Sequence, residues 1–194
     1  MSSARDVTTV LLVGVGGQGT ILAGHLLAAV AASQGLDVKV SEIHGMSQRG
    51  GSVSTVVRMG TEVSTMVCDA GSADIAVAFE EIEALRYQHL LKEGGTLLVN
   101  DEVSVPVSVS LGIAQMPDDL DARLDALDAR RIDASGIANG LGSPRSTNVA
   151  LMGALSAFLP FSVEAWHEAV AAQVPPKTIE ANLAAFDAGR DAVS

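Results

Sequence analysis

An apolar run that leads into a glycine turn and then into a helix is the feature that most constrains this fold. Val7–Val15 is rich in β-branched residues, as a buried strand requires, and it ends in the pattern Gly14-Val15-Gly16-Gly17-Gln18-Gly19. Apolar residues at helical spacing follow from Gly17 to about Gln34, and Gly35 provides a C-terminal stop. A strand, a glycine turn and a helix in this order open a βαβ unit, so the chain predicts an α/β fold.

Later elements extend this prediction along the chain. Val38–Ile43 alternates as a second strand, Asp74–Phe79 and Thr96–Asn100 read as buried strands, and Arg130–Ala134 predicts the last strand. Ser52–Met59 and Glu62–Cys68 flank Gly60-Thr61 and predict a β-hairpin. Glu80–Lys92 predicts a helix that Gly94-Gly95 would end, and Val103–Gln115, with Pro106, predicts an irregular segment. Further helices are expected over Asp118–Leu127, Ser135–Leu141, Thr147–Phe158, Val163–Ala172 and Lys177–Ala188.

Composition agrees with this outline. Hydrophobic residues make up 48% of the 194 residues and aromatic residues 3%, so the core is aliphatic, as suits parallel strands covered by alanine-rich helices. No shift in composition marks a boundary, and we expect a single domain over 1–194. The expected fold is a doubly wound, mostly parallel Rossmann-like sheet with helices on both faces and an antiparallel hairpin addition.

Charge and cysteine usage exclude several classes of function. The formal net charge of −11 repels phosphate backbones and anionic head groups, which argues against nucleic-acid and membrane partners. No apolar stretch reaches the roughly 20 residues that cross a bilayer, and no secretory cleavage site follows Val7–Val15, so a cytoplasmic location is expected. The single cysteine, Cys68, leaves no thiolate set for an iron–sulfur cluster.

Two segments are candidates for chemistry. The glycine loop, defined as Gly14–Gly19, lies where G-x-G-x-x-G turns bring backbone N–H groups close to a phosphate, and its cofactor-contact candidates are Gly14, Gly16, Gly17, Gln18 and Gly19. The alternatives are glycines that only allow close strand–helix packing and a bound NAD or FAD, for which Glu42 at the end of the second strand would contact the ribose.

The second loop, defined as His44–Ser52, is glycine-rich, polar and cationic. Its glycines permit unusual backbone geometry, and its tip offers a hydroxyl, an amide and a guanidinium that can fork onto a carboxylate or phosphate. The candidate contacts with partner or substrate are His44, Gly45, Ser47, Gln48, Arg49, Gly50 and Gly51. A solvated surface loop is the alternative. No metal-ligand spacing accompanies His44, and the chain has no nucleophile elbow, Walker lysine or H-E-x-x-H pattern.

Taken together, these motifs resemble the gamma-type domain of 2-oxoacid:ferredoxin oxidoreductases, and within that group the small (beta) subunit of the indolepyruvate type. Gly14–Gly19 and Val40–Val53 carry the resemblance, and Asp133–Gly142, Asn148–Leu155 and Val174–Lys177 extend it over nearly the whole chain. The run His-Gly-Met-Ser-Gln-Arg-Gly-Gly is highly specific, whereas G-x-G-x-x-G is not. Gln48 and Arg49 favour an arylpyruvate substrate within the family.

The resemblance implies a component of an enzyme rather than a complete one. Such enzymes decarboxylate a 2-oxoacid on thiamine diphosphate, pass electrons through iron–sulfur clusters to ferredoxin and deliver the acyl group to coenzyme A. The resemblance implies a large partner subunit that holds thiamine diphosphate and the clusters, and the absence of cluster cysteines and of a G-D-G thiamine motif from this chain agrees with it. The isolated chain is expected to have no catalytic residues and to be inactive, with coenzyme A as a co-substrate; whether the lone chain dimerises stays open. The alternatives are an autonomous NAD(P)- or FAD-dependent oxidoreductase and a non-catalytic module that binds coenzyme A or a nucleotide.

Overall fold

A mixed β-sheet runs through the protein. The computed structural model describes residues 7–44 and 51–193, and within them the strands form one sheet in the order β2-β3-β1-β4-β5-β6. The strands are Thr8–Val15 (β1), Asp37–His44 (β2), Ser52–Gly60 (β3), Ala73–Ala78 (β4), Leu91–Asn100 (β5) and Arg130–Ile132 (β6). β1, β4, β5 and β6 are parallel, whereas β3 is antiparallel to both of its neighbours. The predicted mostly parallel α/β sheet is confirmed.

Helices cover both faces of this sheet, as the sequence predicts. They are Thr20–Ser33 (α1), Glu81–Tyr87 (α2), Val107–Ser110 (α3), Leu120–Ala126 (α4), Ala134–Gly140 (α5), Thr147–Ser156 (α6), Val163–Gln173 (α7) and Ile179–Asp191 (α8). Alternation along β1 serves both faces, because Val10 and Leu12 join the apolar cluster beneath α1, α6, α7 and α8. Leu11 and Val13 join the opposite cluster, beneath α2 and α4.

Two glycines allow α6 and α8 to pack with their backbones almost in contact. A Cβ atom added to Gly153 would lie 1.9 Å from the carbonyl oxygen of Phe186, and one added to Gly189 would lie 1.9 Å from that of Ala150. Real atoms do not approach so closely, so both positions require glycine at this helix spacing. The contact fixes α6, and the N-terminus of α6 borders the candidate site described below.

The predicted hairpin around Gly60-Thr61 is wrong in its position. β3 pairs with β2 along one edge and with β1 along the other. Both edges of β3 are therefore occupied, and Glu62–Cys68 forms no strand. The hairpin in the structure is β2–β3, and its connection is the second loop. The sequence predicts an antiparallel addition, but in the structure this addition lies at the β2–β3 connection, one connection earlier in the chain than predicted.

The predicted helix over Glu80–Lys92 is also too long. α2 ends at Tyr87, and after one turn of 3₁₀ helix β5 begins at Leu91. Gly94 and Gly95 do not end a helix but lie inside β5, where its register against β4 shifts. Gly94 has a φ of +71°, which glycine adopts without strain, so it accommodates the irregularity.

Two smaller differences concern the segments after β5. The irregular stretch Val103–Gln115 contains the short helix α3. The last strand ends at Ile132 rather than at Ala134, because Asp133 already caps α5 by accepting a hydrogen bond from the Gly136 N–H.

Candidate functional site

The glycine loop closes on itself through a side chain. Gln18 Oε1 accepts a hydrogen bond of 2.7 Å from the Val15 N–H, and a Cβ atom on Gly14 would lie 2.7 Å from that same oxygen and 2.9 Å from Phe79 Cβ. Gly17 and Gly19 have φ values of +109° and +87°, which side-chain-bearing residues rarely adopt. Three of the four glycines in this turn are thus required by space or by backbone conformation.

The loop leaves the N-terminus of α1 open. Gly19 is the N-cap of α1, no side chain caps the helix, and its first turn carries no acidic residue. Uncapped N–H groups at a helix N-terminus attract anions. Asn148, at the start of α6 and 5% exposed, packs against this corner and donates from Nδ2 to the Gly19 carbonyl oxygen over 3.4 Å.

A cavity of about 730 Å³ opens beside the glycine loop, outside the carboxyl ends of the parallel strands. Ligands of α/β sheets bind at such a position, and the volume lies within the range of cofactor sites. The N-cap residue of α6 makes no side-chain cap, although Asn148 Oδ1 accepts from the Val149 N–H in the first turn, and Arg145 stands just before the helix. The lining residues are Gly17, Gln18, Gly19, Phe79, Glu102, Ser135, Asn139, Pro144, Arg145, Thr147 and Asn148.

One buried amide organises the wall of this cavity opposite the glycine loop. Asn100, fully buried at the end of β5, donates from Nδ2 to the Phe79 carbonyl oxygen at 3.2 Å and accepts at Oδ1 from the Ala134 N–H at 3.0 Å. It also donates to Glu102 Oε2 at 3.1 Å, and that oxygen accepts from Ser135 Oγ at 2.6 Å. The chain segments after β4, β5 and β6 are thereby tied together, and Glu102 and Ser135 present polar groups to the cavity.

The second loop ends beside the glycine loop. The Gly16 N–H donates to the Gly51 carbonyl oxygen at 2.8 Å, and Val15 pairs with Ser52 across the sheet. The predicted partner-contact residues Gly45, Ser47, Gln48, Arg49 and Gly50, and the side chain of His44, lie outside the described residues. The described end at Gly51 brings the two sequence motifs to the same edge of the sheet.

A second, smaller cavity of about 260 Å³ adjoins the exit of the second loop. Ser52 Oγ donates to Glu83 Oε2 and lies 3.2 Å from Tyr87 Oη, and Arg86 Nε donates to Glu83 Oε1 at 2.8 Å. Glu80 is fully buried and caps α2 by accepting from the Glu83 N–H. Burial raises the pKa of Glu80, while hydrogen bonds from backbone N–H groups, including that of Ser104, oppose the rise.

Glu42 does not lie where a Rossmann ribose contact requires it. In that arrangement the second strand is the neighbour of the first, but here β3 lies between β1 and β2. Glu42 Oε1 instead lies 3.2 Å from His25 Nε2 on α1. The expectation that Glu42 could serve a dinucleotide at the glycine loop is therefore wrong on geometric grounds.

Three comparisons with known proteins bear on this arrangement. A family model described as pyruvate ferredoxin/flavodoxin oxidoreductase matches residues 9–192. The chain belongs to this family. It is 40% identical over 192 residues to indolepyruvate oxidoreductase subunit IorB of Thermococcus kodakarensis, with 93% of each chain covered. The resemblance stated from the sequence motifs is confirmed.

Solved structures of the family share this fold. The keto/oxoacid ferredoxin oxidoreductase gamma subunit of Geobacter sulfurreducens aligns with a TM-score of 0.71 at 27% identity, covering 96% of this chain and 98% of that one. The 2-oxoglutarate:ferredoxin oxidoreductase of Magnetococcus marinus, solved with 2-oxoglutarate, coenzyme A and succinyl-CoA bound, aligns with a TM-score of 0.71 at 23% identity. That match covers 96% of this chain and 31% of the longer one, and it shows the fold alone. The relative from Thermococcus kodakarensis is named as a subunit of an oxidoreductase, and so is the Geobacter sulfurreducens protein.

Within residues 7–44 and 51–193, no helix is long and apolar enough to span a bilayer. No group of three or more histidine, cysteine, aspartate or glutamate side chains within residues 7–44 and 51–193 is placed to hold a metal ion. Sequence reasoning missed Asn100, Asn148 and Glu83, because a lone amide or carboxylate carries no motif.

Proposed function

We propose that this protein is the small subunit of an indolepyruvate-type 2-oxoacid:ferredoxin oxidoreductase that acts in the cytoplasm. A large partner subunit would carry thiamine diphosphate and the iron–sulfur clusters, decarboxylate the 2-oxoacid and pass electrons to ferredoxin. The 40% identity to a curated indolepyruvate oxidoreductase subunit over 93% of both chains supports the subunit role and the substrate class. The acyl group would leave the complex as a thioester of coenzyme A.

The observation that carries a binding role is the cavity at the glycine loop. It is bordered by the uncapped N-terminus of α1 and by Arg145, both of which favour an anionic ligand. Glu102 and Ser135 on the facing wall are suited to hydroxyl groups of a sugar. These groups fit the phosphates and ribose of coenzyme A, whose thiol is the acyl acceptor in the family's reaction.

In this role the chain's own residues bind and orient. The N–H groups of Gly17 and Gly19 would hold a phosphate, since those of Val15, Gly16 and Gln18 already donate within the protein. Asn148, which also lines the cavity, supports the loop through its hydrogen bond to the Gly19 carbonyl oxygen. The second loop, with Gln48 and Arg49 at its tip, would contact the large subunit near its thiamine site. Since the described ends of the two loops meet at Gly16 and Gly51, a ligand held at the first would lie beside the partner contact made by the second.

An autonomous dehydrogenase is the alternative that the test must separate. Titration calorimetry of the lone chain with coenzyme A, NAD and FAD distinguishes them. We expect weak binding of coenzyme A, weakened further by about tenfold in Arg145→Gln, since one charge-assisted hydrogen bond contributes on the order of 1.5 kcal/mol. Arg123→Gln, on the exposed surface of α4, is the matched control and should bind like wild type. Tight binding of NAD or FAD in preference to coenzyme A would overturn the proposal.

A further inference from the structure

Two side chains of α2 hold the chain at the first residue of β3, where it leaves the second loop. We call this contact the Ser52 anchor. Ser52 begins β3, and its hydroxyl lies between the Glu83 carboxylate and the Tyr87 hydroxyl. We propose that Glu83 and Tyr87 are positioning residues that fix the exit of the second loop through Ser52. This inference rests on the proposed function, because it assigns the Ser52 anchor a role in turnover by the complex.

The number of hydroxyl hydrogens determines which group donates in each hydrogen bond of the Ser52 anchor. Ser52 has one hydroxyl hydrogen, which it donates to Glu83 Oε2, so Tyr87 must donate its own hydrogen to Ser52 Oγ. Glu83 Oε1 is occupied by Arg86 Nε at 2.8 Å. The chain of donors therefore runs from Tyr87 through Ser52 to a carboxylate, and a hydrogen bond to an ionised acceptor is stronger than a neutral one.

The Glu83 side chain is buried, and its burial makes the hydrogen-bond partners of both carboxylate oxygens necessary. The Glu83 side chain is 5% exposed, and a carboxylate removed from water is tolerated only when its oxygens have partners. Arg86 supplies the countercharge, and Ser52 supplies the partner of the second oxygen. Loss of the Ser52 hydroxyl would leave Oε2 of this buried carboxylate without its donor, so that Arg86 alone would orient Glu83.

The Ser52 anchor lies where the chain enters β3, and this place favours a positioning role over a general stabilisation of the strand. β3 is already paired along both edges by β1 and β2, so the strand itself does not depend on a side-chain anchor. The anchor acts instead at the residue where the chain enters the strand. The neighbouring residue Gly51 is held by the Gly16 N–H at 2.8 Å, so two successive residues tie the second loop to α2 and to the glycine loop.

The test uses the complex reconstituted from this chain and its large subunit, with indolepyruvate, coenzyme A and ferredoxin. We expect Ser52→Ala to lower kcat about tenfold, because a misplacement of about 1 Å by a mutation outside the reacting atoms can cost on the order of 100-fold in rate. Ser52→Thr retains the hydroxyl and should restore kcat to within about twofold of wild type. Tyr87→Phe removes only the donor to Ser52 and should give a smaller loss than Ser52→Ala.

Asp74→Asn is the matched control. Asp74 accepts from the Thr9 N–H at 2.9 Å and from Lys92 Nζ at 3.0 Å at the amino end of β4, the end of the sheet opposite the site. Asp74→Asn should lower the melting temperature of the complex, because the Thr9 N–H, at a residue that is 2% exposed, loses a charged acceptor, while kcat stays unchanged. A Ser52→Ala complex with wild-type kcat, or a Ser52→Thr complex as slow as Ser52→Ala, overturns the inference alone. A wild-type complex that does not oxidise 2-oxoacids overturns the proposed function and this inference with it.

Discussion

Replacing Gly19 by alanine tests whether the glycine loop is shaped both by backbone conformation and by Asn148. Gly19 has a φ of +87°, and its missing Cβ atom would lie 2.6 Å from Asn148 Nδ2. A left-handed conformation costs alanine roughly 1–2 kcal/mol. Forcing an atom into a filled space costs about 1–3 kcal/mol more. We therefore expect Gly19→Ala to lower the free energy of unfolding by about 2–5 kcal/mol.

Gly35 provides the matched control at the other end of α1. Its φ is +77°, but no atom lies within 4 Å of the place where a Cβ would stand. Gly35→Ala should therefore show only the conformational cost of about 1–2 kcal/mol. Urea unfolding of the lone chain at 25 °C measures both variants on the same scale.

A double-mutant cycle with Asn148→Ala isolates the steric part. Removing the Asn148 amide empties the space that the new Cβ would enter, so the loss in Gly19→Ala/Asn148→Ala should be smaller than the sum of the single losses. Coupling of about 1 kcal/mol or more is expected for residues in contact. Equal losses for Gly19→Ala and Gly35→Ala, together with additivity in the cycle, would refute this account of the loop.

Three further predictions concern other parts of the molecule. Gly153→Ala should destabilise the chain by more than about 3 kcal/mol, above the usual cost of overpacking, because its Cβ would meet the backbone of Phe186 rather than a movable side chain; thermal unfolding against Gly140→Ala, where no atom lies within 4 Å, measures this, and similar melting temperatures would contradict it. Burial raises the pKa of Glu80 above its ordinary value of 4.5, so its contribution to stability is full below pH 4.5 and is lost as the pH rises through the raised pKa; Glu80→Gln stays neutral, and the stability of wild type relative to this variant should fall from pH 4 to pH 7, whereas a constant difference would show that Glu80 ionises normally. Arg49→Ala should leave the melting temperature of the lone chain nearly unchanged while weakening complex formation or turnover at least tenfold, since a partner charge left unpaired at an interface costs a few kcal/mol; a complex with wild-type assembly and turnover would make the second loop ordinary surface.

The parts of the fold that local pattern determines could be predicted from the sequence. β1, the glycine loop and α1 follow one another without long-range help, and their apolar spacing and glycines are enough to specify them. The insertion of β3 between β1 and β2 could not be predicted, because strand order depends on pairing between distant segments. A run such as Glu62–Cys68 has the residue types of a strand, but both edges of β3, the strand with which a hairpin would pair it, are already occupied.

The candidate site was predictable to a similar degree. The G-x-G-x-x-G motif makes the glycines of the turn recognisable in the sequence, and Gly17 and Gly19 have the predicted conformational role. Asn100 and Asn148 act through contacts with segments that are distant in the chain, and their neighbours in sequence give no sign of this. The α2 boundary was missed for a related reason. Gly94-Gly95 is typical of a helix end, but here it serves a register shift between β4 and β5.

Reconstitution of 2-oxoacid oxidation tests whether this chain is a subunit that needs a large partner for activity. Acyl-CoA formation and ferredoxin reduction from indolepyruvate would be measured with this chain alone, with the large subunit alone and with both together. The proposed subunit role predicts no activity from this chain alone and activity that requires both chains. Steady oxidation by the isolated chain with thiamine diphosphate and a dye acceptor, or full activity of the large subunit without this chain, would contradict it.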